Sequence, residues 1–170
     1  NRMSYILEVV QAVRSVWPDE KPLFYRISSS DGIDGGITID HNITLVKSLE
    51  ALGVDVIDCS SGGIIGSPIL AKSRLVPGFQ VPYSQKIKAE TNSKTMAVGA
   101  IIDAEQAETI ITNKRADLVA LGRELLADTQ WVYRAATRLS PDSAKKFLPP
   151  SYSFYLTRRD KWLDREADPA

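Results

Sequence analysis

Four times along this chain a short run of aliphatic and β-branched residues gives way to a loop and then to a segment with helical spacing. The runs are "LFYRIS" at 23–28, "VDVIDCS" at 54–60, "TMAVGA" at 95–100 and "ADLVALG" at 116–122. Each is brief, nearly continuous in apolar character and bounded by chain breakers, the pattern of a strand buried on both faces. Between them lie a helix with Leu45, Leu49 and Leu52 on one face and Gly53 as its C-cap, and another near 83–91 after a long loop through Pro82. A third runs from about Asp103 to Lys114, and a fourth follows Gly122 through about Leu139. Strands that alternate with helices need crossover connections, which are right-handed and produce a parallel sheet with the helices outside it.

A helix precedes the first strand: Ile6, Val9, Val10, Val13, Val16 and Trp17 recur at helical spacing until Pro18 ends the run. Four strand-helix units fit either a small open doubly wound sheet or half of an eight-stranded barrel, whose usual length is about 250 residues. A leading helix followed by four strand-helix units suits a cut through a barrel, the cut falling just after the barrel's fourth strand. The expected fold is therefore α/β, half of a TIM (β/α)8 barrel over 1–139. Residues 140–170 mix prolines, charges and aromatics without a clear period, so they read as an irregular tail, partly packed or at a subunit interface, its last eight residues frayed.

Composition narrows the partners. Lys plus Arg number 21 and Asp plus Glu number 21, so no global field draws nucleic acid or an acidic membrane surface, and any anion site is local. Cys59 is the single cysteine, which excludes an intrachain disulfide and reads as a buried small side chain. No apolar run approaches the roughly 18 residues of a membrane span, and residues 1–17 lack the order of a signal peptide; the expected location is cytoplasmic. The chain begins at Asn1 rather than Met, so a processed chain or a piece of a longer one is expected.

In both architectures ligands collect where strands end, here Arg26–Ser30, Ser60–Gly63, Val98–Ile101 and Gly122–Arg123. Glycine admits a ligand close to the backbone, and free N–H groups and hydroxyls suit phosphate oxygens. Arg123 stands at a helix start, where the backbone already carries partial positive charge, so either an anion belongs there or the arginine pairs with Glu124 or Asp128. Arg26 lies inside an apolar strand: it is either an ion pair with Asp58 or a cation beside an anionic ligand. His41 reads as part of a helix start capped by Thr38 or Asp40, and Asp55 and Asp58 are not spaced as a hydrolytic pair. No catalytic residue and no metal-ligand set is assigned.

The segments "LFYRISSSD", "GVDVIDCSSGG", "VPGFQVPYSQKIK", "AVGAI" and "ADLVALGRELLADTQWVYRAA" resemble, in order and spacing, the C-terminal half of the old yellow enzyme family. These are flavin-dependent ene-reductases on an eight-stranded barrel, and the wording is nearest the bacterial branch that includes xenobiotic reductases. The resemblance runs from Asn1 to about Leu139. It implies non-covalent FMN, NAD(P)H as reductant and an activated alkene as hydride acceptor. It also implies that Arg26 stabilises the reduced flavin at its pyrimidine edge, that Val98, Gly99, Gly122 and Arg123 hold the phosphate, and that Ser60 and Gly62 line the same mouth.

The family's substrate-binding pair and proton-donating tyrosine belong to the N-terminal half and have no counterpart here. The resemblance thus makes a missing N-terminal half, on the same polypeptide or a second chain, the partner of this one, and leaves this chain alone inactive. In the tail, "LPPSYSFYLTRR" is similar to family C-termini that complete an active site, sometimes a neighbouring subunit's, which nominates Tyr155 and Arg158 for substrate binding in a homo-oligomer. A non-catalytic half-barrel module that binds a phosphate ligand is the alternative from another functional class.

Overall fold

The computed structural model describes residues 2–62 and 76–167. They form two compact units, one of residues 1–102 and 106–121 and one of 103–105 and 122–170. In chain order the first unit carries α1 (Ser4–Arg14), β1 (Phe24–Ser28), α2 (Ile39–Ala51), β2 (Val56–Ser60), α3 (Val81–Glu90), β3 (Lys94–Val98), most of α4 (Ala104–Thr112) and β4 (Leu118–Ala120).

The sheet order is β1-β2-β3-β4, all parallel. Because each right-handed crossover steps one strand further in the same direction, every connecting helix falls on one face; a doubly wound sheet reverses direction and has helices on both. The sequential order is that of a partial (β/α)8 barrel, as the leading helix and four repeated units predict.

Strand parity then separates two faces. Ile27, Ile57 and Cys59 join Val46 and Leu49 of α2 and Ile87 of α3 in one buried cluster, and Ala97 joins Val81, Ile101, Ile110 and Ala116 in a second. The opposite face carries Arg26, Asp58, Met96 and Leu118 in register across the four strands. Here the expectation of strands buried on both sides fails: Phe24 is 46% and Leu118 41% exposed, both on the outer strands of the sheet. Only β2 is buried at all but its last residue; β3, also flanked by strands on both sides, buries just Thr95 and Ala97.

Local chemistry sets the element ends. Gly53 follows α2 with φ +80, the left-handed conformation that only glycine adopts cheaply, and its carbonyl accepts Arg14 Nη1 of α1 at 3.2 Å. At the other end of α2 the Thr38 N–H donates to His41 Nδ1 at 3.2 Å, so the single histidine caps a helix.

The second unit departs from the expected outline. The helix after Gly122 is two helices, α5 (Arg123–Ala127) and α6 (Trp131–Leu139). Asp128 causes the break: its backbone is extended and its Oδ1 accepts the Gln130 N–H at 2.8 Å, a local bond that competes with helix continuation. The tail expected to be irregular holds a 3₁₀ segment, Pro141–Phe147, and an 18-residue helix, α7 (Pro150–Ala167). Pro150 begins α7 at the position where a missing N–H costs nothing. Lys145 Nζ meets Asp160 Oδ2 at 2.6 Å, tying the 3₁₀ segment to α7.

Candidate functional site

The carboxyl ends of β1, β2 and β3 are joined by side chains. Arg26 Nη1 donates to Asp58 Oδ2 at 3.0 Å and Nη2 to Ser60 Oγ at 3.0 Å. The ion pair with Asp58 forms, yet the Arg26 side chain stays 60% exposed while that of Asp58 is 10% exposed. A guanidinium has five N–H donors, so two bonds hold it in place and leave others free. The second carboxylate oxygen, Asp58 Oδ1, is buried and has no hydrogen-bond partner among the described residues.

Ser60 passes the chain of bonds onward. Its hydroxyl donates to Gln80 Oε1 at 3.4 Å, and Ser61 donates to the same oxygen at 2.7 Å. Gln80 Nε2 in turn donates to the Val98 carbonyl at 3.2 Å. Gln80 is 5% exposed and precedes α3. No periodicity marks it in the sequence, but a helix that follows a strand starts at the sheet edge where strands end, which puts its N-cap beside the strand-end residues.

Beyond Val98 the backbone turns through Gly99, φ +120, and Ala100, φ +49. A Cβ on Gly99 would lie 2.8 Å from Gln80 Nε2 and 3.0 Å from Phe79 Cε1, so glycine is required here by the protein's own packing. Gly62, φ +78, donates its N–H to the Ser30 carbonyl at 2.8 Å and laces the loops after β1 and β2. Gly63 lies outside the described residues.

Arg26, Ser60 and Val98 are thus linked through Gln80, with Gly62 and Gly99 adjoining along the chain. Cys59, between Asp58 and Ser60, is fully buried on the helix-covered side; burial, reinforced by the Asp58 charge, pushes its thiol up to about 12 and makes it unreactive.

Gly122 and Arg123 belong to the second unit, at the start of α5. Gly122 has negative φ, and a Cβ there would meet nothing within 4 Å. Packing does not require this glycine, and the space a Cβ would take is open. Among the described residues no carboxylate pairs with Arg123: Asp128 pairs with Arg134 instead. On α7, Tyr155 is 69% exposed and packs edge-on against Phe154, and the Arg158 guanidinium lies 5.7 Å from the Phe154 ring centre.

Residues 1–142 match the NADH:flavin oxidoreductase / NADH oxidase family. The chain is 45% identical over 139 residues to an NADPH dehydrogenase of Geobacillus sp. (strain WCH70), covering 82% of this chain and 39% of that protein. It is 40% identical over 142 residues to an NADPH dehydrogenase of Bacillus subtilis (strain 168), covering 84% and 40%. A solved 2-naphthoyl-CoA reductase complexed with 2-naphthoyl-CoA aligns with a TM-score of 0.65 at 26% identity, over 75% of this chain and 20% of that one. The chain spans about two fifths of the length of the curated relatives it matches.

Proposed function

Because the chain belongs to the NADH:flavin oxidoreductase / NADH oxidase family, we propose that it is the cofactor-holding C-terminal half of an FMN-dependent barrel oxidoreductase that reduces an activated alkene with NAD(P)H. NADPH dehydrogenases among the relatives favour NADPH as the reductant. The observation that carries the reading is Arg26: a cation in the middle of β1 held by Asp58 and Ser60, on the sheet face away from the helices, with its side chain 60% exposed.

The donor set fits the group. FMN, when bound, supplies hydride transfer between nicotinamide and alkene. Arg26 offers fixed positive charge and free N–H donors to an anionic pyrimidine edge, and Ser60 and Gly62 border it. Val98 and Gly99 contribute backbone to the phosphate site, and Arg123 contributes a charge that no described carboxylate neutralises, beside a glycine with open space. Tyr155 and Arg158 are assigned to the substrate side. The remaining barrel strands cover the face bearing Phe24 and Leu118 and bring the substrate-binding pair and the proton donor.

Arg26→Ala in the complete flavoprotein tests this. Loss of the cation makes the midpoint potential of the bound flavin more negative and slows hydride transfer, read by spectroelectrochemistry and reductive kinetics. An unchanged potential together with unchanged kinetics rejects the role.

A further inference from the structure

We propose that Gln80 is a positioning residue that fixes the carboxyl ends of β2 and β3 at one spacing and, through Ser60, sets where the Arg26 guanidinium lies. The inference rests on the flavin reading above and extends it to a residue outside the cofactor-contacting set.

Gln80 is almost fully buried, and burying an amide is costly unless its bonds are made. Three of them are: Oε1 accepts the hydroxyls of Ser60 and Ser61, and Nε2 donates to the Val98 carbonyl. Every partner is a strand-end or strand-loop group, so the amide bridges β2 and β3 where their ladder ceases. Its contact with β3 is close, as the 2.8 Å from Nε2 to a Cβ on Gly99 shows. The preceding residues reinforce the hold: Gly78 donates its N–H to the carbonyls of Gly99 at 2.9 Å and Ala100 at 3.2 Å. Segment 78–80 therefore clamps the two positive-φ residues that end β3.

A continuous path results, from Asp58 through Arg26, Ser60 and Gln80 to the Val98 carbonyl. One end is the charge assigned to the pyrimidine edge, the other the turn assigned to the phosphate. A side chain that merely filled space would alter stability when replaced. Gln80 should also alter cofactor affinity and potential, because both ends of the path move with it.

The test uses the complete flavoprotein, with three readouts: FMN affinity by fluorescence titration of the apoprotein, flavin midpoint potential, and apoprotein melting temperature. Gln80→Met keeps the length and removes all three bonds; Gln80→Glu keeps the acceptor but sets a carboxylate against the Val98 carbonyl. Both should weaken FMN binding about ten-fold, the scale of one or two buried hydrogen bonds. Both should also lower the potential, a ten-fold loss of preference for reduced flavin reading as about −30 mV. Ser61→Ala removes the 2.7 Å bond without touching Gln80 and should weaken FMN about three-fold, which keeps the test open if Gln80→Met fails to fold. Unchanged affinity and potential in a folded Gln80→Met or in Ser61→Ala, with FMN bound by the parent, overturns the role of Gln80 and leaves the flavin reading standing. A parent apoprotein that binds no FMN overturns both.

Discussion

Gly99 and Gly122 close successive strand regions, yet they are glycines for opposite reasons. At Gly99 the backbone is left-handed and Gln80 and Phe79 occupy the space a Cβ needs; at Gly122 neither holds. Gly99→Ala should therefore destabilise the protein by about 1–3 kcal/mol, measured by urea denaturation. Arg123→Ala should leave stability within about 0.5 kcal/mol of the parent but weaken FMN binding by about 1.5–3 kcal/mol, measured by titration of the apoprotein. Equal FMN affinity would remove Arg123 from the phosphate site. For Arg123 the sequence left two readings, an anion or a pair with Glu124 or Asp128; among the described residues that pair does not form, and Asp128 meets Arg134 instead. Arg26 was half legible: a charge in an apolar run announced a partner, Asp58 among the readings, but not that the paired side chain stays 60% exposed. Gln80 was invisible, because a single amide before a helix breaks no pattern.

Strands and their connecting helices were the most legible elements, because buried parallel strands are compact apolar runs and their helices have one apolar stripe. What misled was context. Phe24 and Leu118 are apolar yet exposed on the outer strands, and Asp128 splits a helix through a two-residue side-chain bond. The aromatics of α7, Tyr152, Phe154, Tyr155 and Trp162, are all more than half exposed and mark no stripe. Where elements meet, Asp117 binds α3 to β3 and the start of β4. Its Oδ1 lies 2.5 Å from Lys88 Nζ, and its Oδ2 accepts the Thr95 N–H at 2.9 Å. Partial burial raises its pKa, but the hydrogen bonds from Lys88 and Thr95 and the charges of Lys88 and Lys94 outweigh this and hold it below the ordinary value. A lowered native pKa means that the stabilisation is full above the unfolded value of about 3.9 and is lost as pH falls through the native value. Asp117→Asn should be less stable than the parent at pH 7 and should lose less stability on acidification, as urea midpoints across that range will show. Parallel pH profiles would contradict this.

At the scale of the molecule, one sheet face is covered by helices and the other carries Arg26, Asp58, Met96 and Leu118 in one row. A cation, a carboxylate with an unpartnered buried oxygen and two apolar side chains suit the interior of a barrel closed by further strands. The sequential strand order is the reason; the four-fold repeat by itself also allowed a doubly wound sheet. The chain spans about two fifths of its relatives, and the contribution proposed for this portion is the grip on FMN. Its most direct test is the visible spectrum and intact mass of the natural polypeptide that contains this sequence, isolated without added flavin. The expected result is a mass well above that of the 170 residues, the absorption bands of oxidised flavin, and one FMN released per chain on denaturation. A colourless polypeptide that takes up no FMN when it is supplied would contradict it.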